Sequence, residues 1–297
     1  RKESSAASDV YKRQILFFTN MGRVYRTKVW QLPEASRDAR GGHVAGLLSF
    51  LPEEHITRVM TLRSYDDAKY LLLATRAGLV KKTQLTAYDS SRQAGVIAIN
   101  FRTDDDELIG AELCGPDDDV LLISRKGQAI RFGADDEQLR PMGRATSGVT
   151  GMKFRGDDEL LSMSVIEAGT DEDERFVFTA TDGGYAKRTL VSEYRRQGRG
   201  GLGIKAMALS EDRGSLVGGL VVQEADEVIA IRTSGQLTRS AVAEVPVKGR
   251  STMGVKFVNV RGKDAVSIIA LNPEHEEPDD PQPVSYTHLT LPTTPYV

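Results

Sequence analysis

The chain contains 297 residues, of which 40% are hydrophobic and 27% are charged, and its formal net charge is −3. This composition is typical of a globular protein, and because no run of about 18 apolar residues occurs, the sequence offers no transmembrane helix. A single cysteine, Cys114, excludes an internal disulfide framework and fits a reducing compartment; we predict that it is a buried apolar residue.

The two ends of the chain differ from the residues between them. Residues 1–14 and 284–297 lack any periodicity, and the first segment lacks the apolar core of a signal peptide. Residues 273–283 are acidic and rich in proline, a composition that does not bury a core. We therefore predict an extraneous or disordered leader at 1–14, a folded domain at 15–272, and an acidic, then extraneous, disordered tail at 273–297.

A repeated pattern fills the predicted domain. Each unit opens with an apolar strand, a short turn that contains Thr or Ser, a glycine, and a strand that carries Lys or Arg, as in LLLATRAGLVKKTQ from Leu71. Neighbouring copies of the turn glycine lie 49 to 57 residues apart. The turn glycines are Gly22, Gly78, Gly127, Gly184 and Gly235, and the five units span approximately residues 15–70, 71–119, 120–175, 176–227 and 228–272.

Each unit continues with a second glycine, another alternating strand, a polar turn and one more apolar strand. Period-two alternation, β-branched residues and turns rich in Gly or Asp favour strands over helices. Four short strands in a unit of about 50 residues are typical of a propeller blade, whose sheet buries both faces against its neighbours. We predict an all-β, propeller-like disc of about five four-stranded blades; a sandwich explains the period less well. The second glycines are predicted to be Gly46, Gly95, Gly151, Gly203 and Gly254.

Basic residues recur on the strand after the turn glycine and on the connection that follows it. On a solvated strand edge, Lys and Arg can simply prevent aggregation. If the units are arranged around an axis, the same exposed residues form a belt on one rim, with the acidic runs on a different face. Such a belt suits the backbone of double-stranded DNA, which distributed contacts can bend without reading its sequence. The predicted belt contains Arg23, Arg26, Lys28, Arg37, Arg40, Lys81, Lys82, Arg92, Arg131, Arg144, Lys187, Arg188, Arg195, Arg196, Arg199, Arg239, Lys248 and Arg250.

The stretch from Gly198 to Gly203 matches the GxGxxG pattern of dinucleotide-binding folds. That motif requires a helix that begins within it and an acidic residue about 20 residues further on. The other units predict a strand after Gly203, so we reject this interpretation. The sequence also lacks a phosphate-loop motif and zinc-ligand spacing. We predict no catalytic residue, no metal site and no cofactor on this chain.

The segments ILFFTNMGRVYRTKVWQLPEASRDARGG, LLLATRAGLVKKTQL, VLLISRKGQAIRF and GGYAKRTLVSEY resemble successive blades of the C-terminal domains of DNA gyrase A subunits. The resemblance covers residues 15 to about 272. It implies a six-bladed β-pinwheel, in which blades exchange strands, that wraps DNA around its perimeter. It also implies a role in ATP-dependent negative supercoiling by a type II topoisomerase in the bacterial cytoplasm, on the chromosome. The resemblance further implies a holoenzyme of two A and two B subunits, in which ATP and Mg²⁺ act outside this segment. It implies no membrane partner.

The chain departs from this family in two ways. Its five units correspond to the second through sixth blades, so the first blade and the catalytic core with its nucleophilic tyrosine are absent, and Tyr25 has no such role. The first blade of the family carries the box Q-R-R-G-G-K-G, which Q-G-R-G-G-L-G at 197–203 resembles in the fourth unit. A second, degenerate box and ordinary divergence of a glycine-rich loop are both open interpretations. The matching residues, which we add to the predicted DNA contacts, are Gln197, Arg199, Gly200, Gly201 and Gly203.

Two alternatives remain at this level. The C-terminal domain of the topoisomerase IV A subunit is a related module, and a propeller that docks proteins through its acidic turns belongs to a different functional class. The acidic tail also suggests a regulatory hypothesis, in which residues 274–280 compete with DNA for the basic belt.

Overall fold

The computed structural model describes residues 13–34, 36, 38–39 and 42–272. The predicted leader up to residue 12, the predicted tail, and the predicted DNA contacts Arg37 and Arg40 lie outside the described residues.

The described chain is built of short strands and single 3-10 turns. The strands are β1 (Gln14–Thr19), β2 (Arg23–Lys28), β3 (Ile56–Leu62), β4 (Tyr70–Thr75), β5 (Leu79–Gln84), β6 (Val96–Ile97), β7 (Leu108–Cys114), β8 (Asp119–Ser124), β9 (Gln128–Gly133), β10 (Val149–Thr150), β11 (Leu160–Ile166), β12 (Arg175–Thr181), β13 (Tyr185–Leu190), β14 (Ile204–Lys205), β15 (Leu216–Gln223), β16 (Glu227–Arg232), β17 (Leu237–Ala241), β18 (Val255–Lys256) and β19 (Val266–Leu271). The 3-10 turns are Val29–Gln31, Val44–Gly46, Leu85–Tyr88, Val191–Glu193, Glu211–Arg213 and Val242–Glu244.

The strands form five antiparallel sheets that exchange strands. The orders are β3-β1-β2-β6, β10-β5-β4-β7, β11-β8-β9-β14, β15-β12-β13-β18 and β17-β16-β19. In the first four sheets, three strands come from one unit and the two-residue strand comes from the next unit. This arrangement confirms the all-β, pinwheel-type fold, although a unit of sequence does not correspond to one complete sheet.

Each exchanged strand is held at the turn glycine of the sheet that receives it. The carbonyl of Gly184, for example, accepts the N–H groups of Phe257 and Val258 at 2.8 and 3.0 Å. The carbonyls of Gly22, Gly78 and Gly127 accept two N–H groups in the same way. These bonds align the second glycines of the units as Gly95, Gly148, Gly203 and Gly254, all with positive φ. In the third unit the structural equivalent is thus Gly148, and the prediction of Gly151 is wrong by three residues.

In the described chain, the first unit and the fifth sheet each lack an exchanged strand that the other units and sheets have. In the first unit, the 3-10 turn Val44–Gly46 ends at the predicted second glycine, and among the described residues no exchanged strand follows it before β3. In the fifth sheet, β17 receives no exchanged strand within the part of the chain that the structure describes, so this sheet has three strands and not the predicted four.

Hydrophobic cores lie between neighbouring sheets. Residues of β4 alternate between two of them: Leu71 and Leu73 pack toward the first unit, whereas Leu72 and Ala74 pack toward the third. This explains why the central strands are apolar on both faces. The strands β3, β7, β11, β15 and β19 pack against one another in that order, and we call their side of each sheet the inner edge. The exchanged strands form the opposite, outer edge.

Candidate nucleic-acid interface

A basic residue stands four positions after the turn glycine in all five units, and each one pairs with a carboxylate. Within hydrogen-bond distance are Arg26 and Asp89 (2.5 Å), Lys82 and Asp136 (2.9 Å), Arg131 and Asp119 (2.7 Å), Arg188 and Glu224 (2.9 Å), and Arg239 and Glu227. Arg131 also contacts Glu172. The repetition of charge at this position therefore reflects ion pairs within the fold.

Lysines three positions after the turn glycine are fully buried in the second and fourth units. The Lys187 ammonium donates to the carbonyls of Gly249 and Arg250 at 2.7 and 2.6 Å. The Lys81 ammonium donates to the carbonyls of Ala98 and Arg144. Burial lowers the pKa of Lys81 to about 7 and that of Lys187 to about 8. Each lysine thus fastens the loop of the following unit to its own sheet.

The prediction that these basic residues are exposed is wrong for five of them. Relative exposure is 0% for Lys81, Lys82 and Lys187, 7% for Arg131 and 6% for Arg188. Their charged groups satisfy carbonyls and carboxylates of the protein itself and cannot reach a phosphate without local unfolding. We therefore remove all five from the candidate interface, and we call them the buried basic residues.

The predicted separation of acidic runs onto a different face is also wrong. Asp136 contacts Lys82, Glu172 contacts Arg131, and Asp135 lies 3.5 Å from Arg196. Acidic turns therefore lie directly against basic residues of the predicted belt and neutralise part of its charge.

Loop arginines in three units combine a structural contact with partial or full exposure. Arg199 donates to the carbonyl of Thr150 at 3.1 Å, and Arg250 donates to that of Lys205 at 3.0 Å. Arg144 makes the same contact with the carbonyl of Ile97. In each case the carbonyl belongs to the last residue of the strand exchanged by the preceding unit. These arginines connect the second to the fifth unit along the outer edge.

The loop at 197–203, which resembles the family's box, lies across the outer edge of the third and fourth units. Backbone bonds fix it: the Gln197 N–H donates to Arg131 at 2.8 Å, and the Gly200 N–H donates to Gly151 at 2.6 Å. Strand β14 follows Gly203, which confirms the rejection of a dinucleotide-binding turn. Arg195, Arg196 and Arg199 are exposed on this loop, whereas the three contact glycines and Gln197 are partly buried.

The remaining predicted contacts keep solvent access to different extents. Lys28, Arg92, Arg239 and Lys248 are exposed, and Arg23 and Arg26 are partly buried. The Arg23 guanidinium contacts the carbonyl of Ala94 and lies 3.6 Å from Glu54. Within the described residues, the side chains of Arg92, Arg195 and Lys248 make no hydrogen bond or ion pair. They are therefore available to an external anion.

Six exposed cations on and after the exchanged strands were not predicted from the sequence. These are Arg102, Lys153, Arg155, Lys205, Lys256 and Arg261. Lys205 and Lys256 stand two positions after the second glycine, and Arg102, Arg155 and Arg261 stand seven positions after it. The seven-residue spacing is present in the sequence, but the misplaced glycine of the third unit concealed it, because Asp158 and not Arg155 stands seven positions after Gly151.

The outer edge thus carries exposed cations in the second to fifth units. A surface with this distribution of charge suits a long polyanion. No described helix is long and apolar enough to cross a membrane. Cys114 is buried, as predicted, and burial raises the pKa of its thiol to about 12.

Comparisons with known proteins agree with this architecture. The family model for the "DNA gyrase C-terminal domain, beta-propeller" matches residues 13–61, 69–114, 118–167, 175–223 and 226–272. A DNA gyrase A subunit from a Nocardioides species is 57% identical over 293 residues, covering 90% of this chain and 32% of the relative. The Streptomyces coelicolor protein of the same name is 62% identical over 264 residues, covering 88% and 30%. The chain therefore spans about a third of the length of these relatives.

Two solved structures share the fold at lower identity. The C-terminal domain of DNA topoisomerase IV has a TM-score of 0.78 at 22% identity, over 91% of this chain and 87% of that one. A DNA gyrase A C-terminal domain has a TM-score of 0.73 at 24% identity, over 88% and 83%. The five matched segments of the family model, together with the high identity of the curated relatives, establish the family. The chain belongs to the family of DNA gyrase C-terminal domains.

Proposed function

We propose that this chain is the DNA-binding and DNA-wrapping part of a DNA gyrase A subunit. The observation that carries the proposal is the repetition of exposed, unpaired cations along the outer edge of successive sheets. Each such cation can neutralise a phosphate and release counterions without reading a base. Contacts distributed along an arc can offset a bending free energy of roughly 1–6 kcal/mol for 20–30 base pairs, which one patch cannot.

In the complete protein, this wrap would support ATP-dependent negative supercoiling. The curated relatives are named as gyrase subunits and are about three times as long as the chain, which leaves room for a catalytic core elsewhere. By family resemblance, the partners are the gyrase B protein and a second copy of the gyrase A protein. ATP and Mg²⁺ act outside this segment, and the complex is cytoplasmic and bound to the chromosome. The identity of the curated relatives favours gyrase over topoisomerase IV.

A protein-docking module is the second candidate, and a cavity on the inner edge favours it. The cavity has a volume of about 810 Å³. Its charged lining residues are Asp67, Glu112, Asp118, Glu167 and Arg58, and Arg58 pairs with Glu112, which leaves an excess of acidic groups. This lining is acidic, so it would select a basic protein segment and reject DNA.

The test uses relaxed circular DNA. The chain is incubated with the circle, a nicking-closing enzyme relaxes the unconstrained part, and the linking number is measured after removal of the protein. We expect a shift that grows with protein concentration and disappears at high salt.

A matched pair of triple variants assigns the shift to the outer edge. R92Q/R195Q/K248Q removes three exposed outer-edge charges, whereas R63Q/K69Q/K263Q removes three exposed charges from turns that adjoin the inner-edge strands. We expect the first variant to lose most of the shift and the second to retain it. Equal losses would show that net charge, and not the outer edge, controls wrapping.

A further inference from the structure

A second cavity opens at the outer edge where β9 receives β14, between the third and fourth units. Its volume is about 340 Å³, near the lower end of the range for small-molecule sites. The walls are Phe154, Leu202 and Ile204, and the cations Lys126, Lys153, Arg155 and Lys205 surround them. The lining thus combines an apolar slot with a basic rim.

The residue after each turn glycine pairs with the second residue of the incoming exchanged strand, so equivalent positions can be compared. These pairs are Arg23 with Ile97, Leu79 with Thr150, Gln128 with Lys205, and Tyr185 with Lys256. In the fourth unit, two cations lie over the Tyr185 ring. The Arg213 guanidinium is 4.3 Å from its centroid and the Lys256 ammonium 4.7 Å. In the third unit, Gln128 stands at this position and lines the open cavity.

The fourth unit therefore shows which side chain fits at the position after the turn glycine. It accepts an aromatic ring that two cations contact face-on, an arrangement that attracts a ring through its quadrupole. The third unit retains the cation from the exchanged strand, Lys205 in place of Lys256, but carries Gln128 where the fourth unit has the Tyr185 ring, and Phe154 lines the slot as an aromatic wall. The slot beside Gln128 is thus complementary to an aromatic group that comes from a ligand.

Three of the four cations of the rim lack partners within the described part of the chain. In the second and fourth units, Arg102 and Arg213 donate to the carbonyls of Gly148 and Gly254 at 2.8 and 3.0 Å. In the described part of the chain, the side chains of Lys153, Arg155 and Lys205 make no comparable hydrogen bond and no ion pair.

The acidic residues beside the cavity already have partners. Lys126 pairs with Asp157, and Asp158 accepts the backbone N–H groups of Lys126 and Glu159 at 2.8 and 2.9 Å. Three cations therefore remain for an anion next to the aromatic slot. Charge-assisted bonds from Lys and Arg are the usual means by which proteins hold phosphate.

We propose that this cavity binds one nucleotide unit, with its base in the slot beside Gln128 and its phosphate on Lys153, Arg155 and Lys205. The ligand is either a free nucleoside monophosphate or an unpaired nucleotide within DNA, because both present the same ring and phosphate. Wrapping along the backbone requires no base, so this site goes beyond the proposed function and can fail or hold independently of it.

The first experiment measures binding of adenosine 5′-monophosphate to the full 297-residue chain by calorimetry, with adenosine and inorganic phosphate as separate probes. We expect one site, and an affinity for the monophosphate at least about tenfold higher than for either fragment. Phosphate that binds as tightly as the monophosphate, or a monophosphate that does not bind, would overturn the proposal.

Variants locate the site. Gln128→Tyr places a ring in the slot, as in the fourth unit, and we expect it to weaken monophosphate binding at least about tenfold. The matched control is Gln236→Tyr, the equivalent position in the fifth sheet, which receives no exchanged strand within the described residues; binding should not change. Unchanged binding in Gln128→Tyr would refute the site, and circular dichroism verifies that both variants are folded.

A final comparison distinguishes the two sources of the nucleotide. Fluorescence of 2-aminopurine is followed in a duplex that carries it as a single bulged nucleotide and in a fully paired duplex. If the wild-type chain, but not Gln128→Tyr, changes the emission of the bulged duplex alone, the site accepts an unpaired nucleotide of DNA. If neither duplex responds while the monophosphate still binds, the ligand is the free nucleotide.

Discussion

The buried basic residues and the exposed cations of the outer edge are of the same residue types, Lys and Arg, but they have opposite roles. Lys187 is completely buried and donates to two carbonyls of the next unit, whereas Lys248, one residue before the first of those carbonyls, is exposed and unpaired within the described chain. The first holds neighbouring units together, and the second faces solvent. The comparison teaches that a repeated charge identifies a repeated environment and does not by itself identify a binding surface.

The difference arises from the exchange of strands. An exchanged strand brings the loop before it onto the preceding sheet, and the carbonyls of that loop need donors when they become buried. A long cationic side chain on the receiving sheet supplies them. In the third unit, Ile130 replaces the lysine, and the loop it faces contains four glycines. Gly201 lies against Ile130, with space for a Cβ at 3.5 Å from its Cδ1 atom.

Removal of a buried ammonium is the most damaging test of this comparison. We expect Lys187→Met to lower the free energy of unfolding by about 2–4 kcal/mol, because the carbonyls of Gly249 and Arg250 lose their donor while they remain buried. Denaturant unfolding followed by circular dichroism measures the loss. The control is Lys248→Met, which should stay within about 0.5 kcal/mol of wild type. Similar losses in both variants would contradict the structural role of the buried lysine.

The turn glycines allow a second comparison, between a sheet that receives an exchanged strand and one that does not. Gly184 and Gly235 have the same φ of 79°, so a side chain strains both backbones equally. A Cβ on Gly184 would lie 2.2 Å from the carbonyl oxygen of Val258, whereas a Cβ on Gly235 would meet no atom within 4 Å.

We therefore expect Gly235→Ala to lower the free energy of unfolding by about 1–2 kcal/mol, which is the cost of the left-handed conformation. Gly184→Ala should lower it by about 1 kcal/mol more, because it also displaces the backbone at Val258, just after the exchanged strand. Thermal unfolding of both variants provides the measurement. Equal destabilisation would mean that the exchanged strand contributes nothing at this turn.

The sequence predicted much of the fold because turn chemistry and alternation are local. The turn glycine and the hairpin that contains it are visible in any one unit, and comparison of the units reveals the repeat. The first strands of the units begin at Gln14, Tyr70, Asp119, Arg175 and Glu227. Exchange joins residues 69 to 77 positions apart, such as Arg23 with Ile97, and two-residue strands carry no periodicity of their own. The family resemblance supplied the exchange; the residues alone did not.

The candidate site was harder to predict than the fold. An alternating strand such as LVKKTQ indicates which residues share a face, but not that both faces of that strand are covered by neighbouring units. Lys81 and Lys82 were therefore predicted to be exposed although both are buried. Lys205 and Lys256 were missed because their significance depends on their position in the sheet of another unit.

A smaller effect concerns DNA and sharpens the role of the exposed cations. We expect R92Q/R195Q/K248Q to weaken duplex binding about tenfold at low salt and to reduce the slope of log K against log salt by up to about 0.9 per lost phosphate contact. Fluorescence anisotropy at several salt concentrations measures both quantities, and unfolding should stay near wild type. An unchanged slope would show that these three side chains do not contact phosphates.

The smallest expected effect is a dependence of stability on pH that the buried lysines produce. The pKa of Lys81 is lowered to about 7 by burial, whereas in the unfolded chain it returns to its ordinary value near 10.5. Between pH 7 and about pH 8.5, the unfolded state therefore holds a proton that the folded state releases, and the free energy of unfolding rises with pH, by on the order of 1 kcal/mol.

The neutral amine of Lys81 keeps two N–H donors, so it can still donate to the carbonyls of Ala98 and Arg144. Denaturant unfolding across this pH range should show the rise in the wild type and a reduced rise in Lys81→Met, whereas Lys248→Met should follow the wild type. Parallel pH profiles for all three proteins would show that the Lys81 ammonium is not desolvated, and the contrast between buried and exposed cations would then rest on geometry alone.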